Sequence, residues 1–451
     1  MNAITAKLPF SLDFSDETKR LLNWALIWLL LANIGFMTLW FVGAPPRYAE
    51  IITFAAVGLI VKRFGFWVRY LSFVGAMAWS ALSFVGALFN LNMQSLLHSL
   101  KFFAEIKPSN SIEYIFVAIG ILIVMGFTFR LMRRDTNFSA TPHMIAAGLM
   151  CAGLAATDHQ IGKGMRGHYK RSAPAGAIFG SAQKDSGFAA VADGKRHLVL
   201  VMVESLGVPM DNAEMSRLLF IDYKQSEAIK ARYEISEGTN PYYVSTTAAE
   251  VRELCGRWGD YYELLDGKDD SCLPAQLARK GYATRAMHSF TAEFFERSTW
   301  YPHVGFEAQE FAQDIVNKGA LPCGGVFAGA CDRDVPKQMA AHLKAAKQPT
   351  FMYWLTLNSH LPVPPGQNLN VENCERISPI LAKEFPQICR QFAIFHDVDV
   401  AMIKEITAKD FPEADILIVG DHMPPYFDRH HRSQFDPGNV PWLYLKHKDT
   451  K

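Results

Sequence analysis

Residues 21–43, LLNWALIWLLLANIGFMTLWFVG, form an almost unbroken apolar run without a single charge, long enough to cross a bilayer as one helix. A water-soluble surface helix needs a polar face, and this run has none to offer. It is too long for the apolar part of a cleaved signal, and no clear cleavage site follows it. Trp24, Trp28 and Trp40 are distributed along it as interfacial aromatics are. Residues 71–91 and 114–129 are equally apolar and uncharged, while 51–61 and 144–156 are shorter and need flanking residues or tilt to span about 30 Å of hydrocarbon. The expectation is a membrane domain of about five spans over residues 1–157.

Basic residues give the orientation. Lys62, Arg63 and Arg69 lie between the second and third runs, and Arg130, Arg133 and Arg134 between the fourth and fifth. Both clusters are cytoplasmic only if the N-terminus is inside, which puts everything after Ala156 outside. Cysteine usage agrees. Cys151 lies in an apolar run, whereas Cys255, Cys272, Cys323, Cys331, Cys374 and Cys389 all fall in the polar C-terminal part, in sequence-close pairs. Neighbour pairing gives Cys255–Cys272, Cys323–Cys331 and Cys374–Cys389, although six cysteines allow fifteen connectivities. Free thiols or a zinc knot are the alternatives, and the lack of any CxxC pair counts against the knot. An oxidising compartment follows. A formal net charge of +1 gives no nucleic-acid footprint. Residues 93–106 mix Leu, Phe and Lys at roughly helical spacing, as an interfacial helix or a plain loop does. Residues 158–195, rich in Gly, Ala, Ser and basic side chains, read as a linker along the membrane surface.

From residue 196 to 451 the pattern changes. Short unalternating apolar runs at 197–203, 350–357 and 416–419 are interleaved with helical patterns such as 275–280 and 338–347. Strands apolar on both faces imply an α/β sheet covered by helices on each side, and functional groups in such sheets collect at the strands' carboxyl ends. Those ends carry Glu204 and Ser205; Asn358, Ser359 and His360; and Asp421 and His422, with His288 closing a weaker run at 282–287. Each alone is as well explained by a helix cap or a loop hydrogen bond; four in one topological position point to a site. Glu204, Asp421 and His422 make a ligand set suited to Zn²⁺ or Mn²⁺, with a position left for a hydroxyl that the cation's charge helps to deprotonate. Ser245, Thr246 and Thr247, in VSTTAAEVRELCG, supply three such hydroxyls, any of which equally suits a helix N-cap.

With VMVES, STTAAEVRELCG, HSFTAEFFERSTWYPHVGF, LNSH and IVGDHMPP in this order, the chain resembles the membrane-anchored transferases of the alkaline phosphatase and sulfatase superfamily, most of all the lipoteichoic acid synthase type of phosphoglycerol transferase. The resemblance implies five spans followed by an extracytoplasmic, sulfatase-like α/β catalytic domain with a mostly parallel central sheet, over residues 196–451. It implies Glu204, Asp421 and His422 as metal ligands and Thr246, four residues before Glu250, as metal-held nucleophile. It places His288, Phe295 and Arg297 around the head group, with Phe where relatives more often carry Trp, and His360 near the leaving or attacking oxygen. Lipid A phosphoethanolamine transferases, which resemble the chain in the metal set, follow the Asp-His pair with ESLGE and a spaced His; here DHMPPYFDRHH follows instead, which leaves His430 or His431 as a candidate for a similar role without an alignment and argues against lipid A as acceptor. The same two histidines, with His360, are candidates for a second metal. No cysteine sits in the CxPxR motif of true sulfatases.

The sequence thus predicts an enzyme of the bacterial inner membrane, multi-pass, with its catalytic domain in the periplasm or outside. It moves a phosphoglycerol or phosphoethanolamine head group from phosphatidylglycerol or phosphatidylethanolamine, through a phosphothreonine, to an envelope glycan. Two readings stand beside this one: a phosphodiesterase resolved by water, and a non-catalytic membrane protein that binds an envelope polymer.

Overall fold

The computed structural model describes residues 14–41, 45–89, 96, 112–162, 173, 176–243, 245–426 and 428–449. It separates into two compact units, Met1–Leu88 with Glu113–Lys170, and Phe89–Ile112 with Arg171–Lys451.

In the first unit, over the described residues, helices carry most of each of the five apolar runs. Asp16–Ala25 continues through Leu26–Leu31 and, after a 49° bend, into Ile34–Met37 and Thr38–Phe41; Tyr48–Val61, Phe66–Phe89, Ile112–Leu131 and Thr141–Gly162 follow. Among the described residues, Phe66–Ala87 is long and apolar enough to cross a membrane by itself, and the bent pair Asp16–Leu31 and Ile34–Phe41 is so as one broken span; Tyr48–Val61 and Ile115–Leu131 are shorter apolar helices. The segment 93–106 lies outside the described residues, Leu96 apart. Trp24 and Trp28 are fully buried within the unit, edge-on to Phe138 and Phe73, with the Trp28 ring filling the space a Cβ on Gly58 would need. One end of the unit gathers three stretches. Arg69 Nη1 donates to the Arg134 carbonyl at 3.2 Å and to Thr136 Oγ1 at 3.0 Å, Lys62 Nζ donates to the Phe138 carbonyl at 2.6 Å, and Arg20 pairs with Asp135 at 2.7 Å. Elsewhere in the unit, Trp40 Nε1 and the Arg47 amide both donate to Asp158.

The second unit is built on a seven-stranded sheet in the order β2-β9-β8-β1-β7-β3-β4. Its strands are β1 His197–Val203, β2 Tyr233–Pro241, β3 Ala283–His288, β4 Ala308–Glu310, β7 Thr350–Leu355, β8 Ala414–Gly420 and β9 Asn439–His447. From β8 to β4 the strands are parallel; β9 and β2 close one edge antiparallel. β1, β7 and β8 are buried along their whole length, which is why they are apolar without alternation. One face packs on Pro386–Ile406 and Val335–Ala345, the other on Thr246–Cys255 and Leu273–Arg279. A small hairpin, β5 Pro322–Cys323 with β6 Gly329–Ala330, is closed by the Cys323–Cys331 disulfide. Cys255–Cys272 and Cys374–Cys389 complete the neighbour pairing, and Cys151 is free.

The stretch 158–195 is not a linker throughout. The helix Thr141–Gly162 occupies its start, and Ala182 and Phe188 are fully buried in the second unit's core, where apolar contact fixes the chain well before β1.

Candidate active site

The parallel register of β1 and β8 builds the site. Val203 lies opposite Gly420, so the residues just past these partners, Glu204 and Asp421, leave neighbouring strand ends side by side. Gly420 is required by close approach, since a Cβ there would strike the Leu206 carbonyl. Ser205 takes a left-handed φ of 57°, a costly conformation for a non-glycine residue, and its amide thereby donates to Asp421 Oδ1 at 2.7 Å. Thr246 is the first residue of the Thr246–Cys255 helix, capped by Ser245, whose Oγ accepts from the Ala248 amide at 3.4 Å. Of the three hydroxyls, Ser245 therefore caps the helix, and Thr246 alone reaches the strand ends.

Thr246 Oγ1 donates to Glu204 Oε2 at 3.2 Å and lies 3.3 Å from His422 Nε2; His422 Nε2 lies 3.3 Å from Asp421 Oδ2 and 3.6 Å from Glu204 Oε1. Ligand atoms of Glu204, Asp421 and His422 all fall within 4.8 Å of one another. Each is held from behind. The His422 amide donates to Asp421 Oδ1 at 2.6 Å, the Glu204 amide to Thr356 Oγ1 at 2.9 Å, and Ser359 Oγ to the Glu204 carbonyl at 2.6 Å. His422 Nδ1 faces the Met423 carbonyl at 2.9 Å; a carbonyl only accepts, so Nδ1 carries a proton and Nε2 is the nitrogen turned to the cluster; burial lowers the imidazole pKa, but the Asp421 and Glu204 charges outweigh this and raise it. Burial, and then the charge of Glu204, push the Asp421 carboxyl up to about 7. Its Oδ2 is buried and faces His422 Nε2. Two buried carboxyl groups and an imidazole nitrogen brought this close together are a donor set that fits a divalent ion such as Zn²⁺ or Mn²⁺.

His360 sits on the loop after β7, with its ring 4.0 Å from that of Phe327 and Nδ1 2.9 Å from the Leu361 carbonyl. Burial pushes its pKa down to about 4, so the ring is neutral at neutral pH.

The residues expected around a head group divide. Phe295 is half-buried against Phe294 and Tyr261, at a left-handed φ of 55°. Arg297 is instead fully buried and committed: Nε and Nη2 donate to Glu250 Oε2 at 3.1 and 2.8 Å, and Nη1 to the Phe294 carbonyl at 3.0 Å. His288 is buried beside it, with Nδ1 on the Leu355 carbonyl at 3.1 Å and Nε2 3.5 Å from Arg297 Nη1; burial first, then the Arg297 charge, hold it well below the usual imidazole range. Arg297 and His288 thus lie in the packed wall beside the Thr246 helix, with the Arg297 guanidinium already engaged by Glu250. His430 and His431 are also displaced. They lie on the single turn Arg429–Arg432 against Phe385, with His431 Nδ1 3.3 Å from Asp428, outside the Glu204, Asp421 and His422 group.

Several residues take roles here that were not assigned to them from the sequence. Glu250, one turn after Thr246, accepts from Arg297 and from the hydroxyls of Tyr301 at 2.6 Å and Tyr353 at 3.0 Å. Its spacing of four was the available signal, since it shares a helix face with Thr246. Asp332 accepts from the Leu357 and Asn358 amides at 2.9 and 2.6 Å and so holds the His360 loop. Arg252 and Glu253 form a buried pair at 2.7 Å in the same helix as Thr246.

Comparison with known proteins places this unit. A family model described as Sulfatase matches residues 196–439. A putative cyclic beta-1,2-glucan modification protein of Rhizobium meliloti (strain 1021) is 26% identical over 149 residues, which are 32% of this chain and 22% of that protein. The chain therefore matches only about a fifth of that curated relative's length. Among solved structures, the lipoteichoic acid synthase LtaP from Listeria monocytogenes is similar at 15% identity and a TM-score of 0.44, covering 59% of this chain and 72% of that one. The C-terminal periplasmic domain of EptC from Escherichia coli, in complex with Zn, is similar at 16% identity and 0.40, covering 57% and 74%.

Proposed function

The chain belongs to the sulfatase family, and from that premise we propose that it is a divalent-metal-dependent phosphotransferase of the bacterial cell envelope, with Thr246 as its nucleophile. The observation that carries this reading is the Thr246 hydroxyl, at a helix N-terminus, hydrogen-bonded to Glu204 and 3.3 Å from His422 in the one His/Asp/Glu-only group among the described residues with metal-ligand geometry. A sulfatase nucleophile made from a CxPxR cysteine is absent from the sequence, and a threonine hydroxyl is suited to phosphoryl transfer.

Glu204, Asp421 and His422 would hold the cation, whose charge would lower the pKa of a neighbouring hydroxyl and stabilise phosphoryl oxygens. Thr246 Oγ1 attacks the phosphorus of a membrane phospholipid, phosphatidylglycerol or phosphatidylethanolamine. The bond to diacylglycerol breaks, its oxygen takes up one proton in place of the one Thr246 Oγ1 gives up, and the head group stays on Thr246 as a phosphothreonine. An envelope glycan hydroxyl then attacks the same phosphorus and frees Thr246. The positive end of the Thr246–Cys255 helix favours the anionic group at each stage. Neutral His360 is ready to accept the acceptor's proton. To protonate the leaving alkoxide first, it needs the phosphoryl charge nearby to raise its pKa. Phe295 supplies an apolar wall, while Arg297 and His288 act by packing.

The same reading puts the first unit in the membrane as five spans with the N-terminus inside and the catalytic unit outside. The hydrogen bonds that Arg69, in the first turn of Phe66–Phe89, donates to the Arg134 carbonyl and Thr136 Oγ1 support a common side for both basic clusters. A lipid donor explains the anchor, because a tethered domain meets it at high effective concentration.

The test is direct. The purified full chain, loaded with Mn²⁺ or Zn²⁺, is expected to release diacylglycerol from one of the two lipids, and Thr246→Ala to abolish release. Mass spectrometry of trapped protein is expected to show the head group on the peptide carrying Thr246. Turnover that survives in Thr246→Ala refutes the assignment, and free head group as sole product makes the enzyme a phosphodiesterase.

A further inference from the structure

Arg252 lies nearly two turns beyond Thr246 on the same helix, and long helical side chains lean toward the helix N-terminus, so its guanidinium reaches back toward the site. There Nη2 donates to the Gly420 carbonyl at 2.9 Å and Nη1 to the Asp421 carbonyl at 3.4 Å, while Nε donates to Glu253 Oε1 at 2.7 Å. Arg252 is 1% exposed and Glu253 0%. Glu253 is fully engaged, since its oxygens also accept from the amides of Ala182 at 3.1 Å and Gln183 at 2.9 Å.

Asp421 is consequently fixed from two directions. Its Oδ1 is held by the Ser205 and His422 amides, and its own carbonyl by Arg252, leaving Oδ2 to face the cluster. We infer that Arg252 is a positioning residue: it clamps the end of β8 onto the helix that carries Thr246, so that the Asp421 carboxylate and the Thr246 hydroxyl keep a fixed separation. The inference rests on the metal site proposed above and assigns its geometry to a residue that touches neither cation nor substrate. The Arg252 charge is offset by Glu253, so the effect on a bound cation is one of geometry. Supporting residues of this kind change metal affinity by about 10- to 100-fold when lost.

Mn²⁺ is the probe, titrated into the purified full chain in detergent and read by electron paramagnetic resonance of the free ion. Two variants are compared with the unsubstituted chain. Arg252→Met with Glu253→Gln removes the clamp without leaving a buried charge unpaired. Arg252→Lys keeps the charge and the pairing with Glu253 but loses the two-pronged grip on the carbonyls. The double variant is expected to bind Mn²⁺ about 10- to 100-fold more weakly, and Arg252→Lys to show a smaller loss. In both, kcat for diacylglycerol release falls while KM for the lipid holds. Unchanged Mn²⁺ affinity in a folded variant overturns the inference, even if activity falls. Should the double variant fail to fold, Arg252→Lys decides the matter alone. If the unsubstituted chain itself binds no Mn²⁺, the metal reading fails and the positioning role with it.

Discussion

Replacing Glu250 by Gln tests whether Arg297 is a packed cation or a substrate contact. Glu250 and Arg297 are both 0% exposed, and the carboxylate receives two guanidinium nitrogens and two tyrosine hydroxyls. Burial, and then the Glu250 charge, hold both hydroxyls well above the usual phenol range, so neither tyrosine can ionise in compensation. Removing one partner of such a pair leaves an uncompensated buried charge and costs about 3–5 kcal/mol. The amide oxygen of Gln still accepts some of these bonds, so the lower end, about 3 kcal/mol, is expected. For a domain of this size each kcal/mol moves the melting temperature by about 2–4 °C, which gives a fall of about 6–12 °C. The assay is thermal unfolding of the full chain in detergent, followed by near-ultraviolet circular dichroism, beside lipid turnover. A companion double variant, Glu250→Leu with Arg297→Met, is expected to recover much of the loss. A melting temperature within 2 °C of the unsubstituted chain, with KM for the phospholipid raised, refutes the reasoning and returns Arg297 to the phosphoryl group.

Three further outcomes follow from the geometry. Glu310 is buried, which by itself raises its pKa, but hydrogen bonds and charge from His342 and Lys318 outweigh this and bring it down to about 2. Its contribution to stability is thus complete above its unfolded value of 4.5 and is lost as pH falls toward 2, and Glu310→Gln is expected to flatten urea stability measured across that window. Opening the Cys374–Cys389 loop, with a sequence separation of 15, by Cys→Ser at both positions is expected to lower stability by about 3 kcal/mol in chemical denaturation. Gly420→Ala drives a methyl group into the Leu206 carbonyl and is expected to weaken Mn²⁺ binding and cost about 1–3 kcal/mol; wild-type affinity would show that β8 has room to shift.

The parts of this fold that the sequence shows are those set by local pattern. β1, β7 and β8 are legible because burial on both faces makes them apolar throughout, and their ends mark Glu204, His360, Asp421 and His422. β2 is not, since YEISEGTNP lies at the sheet's edge with most of its side chains exposed or half-exposed, and β9 carries a proline that argues against a strand. The roles of Glu250, Arg252 and Glu253 are hidden for another reason. Charged residues on a short helix ordinarily mean a solvated face, and here the helix is buried on nearly every side, a property of the assembled unit alone. The partner of Arg297 is hidden for the same reason: its position along the chain says nothing of a carboxylate 47 residues away.

The β1–β8 register also bears on the order of events as the chain matures. Glu204 and Thr246 are 42 residues apart, but Ser205 and Asp421, which must meet to shape the site, are separated by 216. Contacts between such distant segments close late, after most of the loop entropy has been given up. A nascent chain that has not yet delivered β8 has one of the three proposed ligands and no site. Cation uptake is therefore expected to trail folding and disulfide closure, and to serve as a timestamp for completion of the domain: pulse-labelled chains truncated before residue 414 are expected to retain no Mn²⁺, whatever oxidation state their first cysteine pairs have reached.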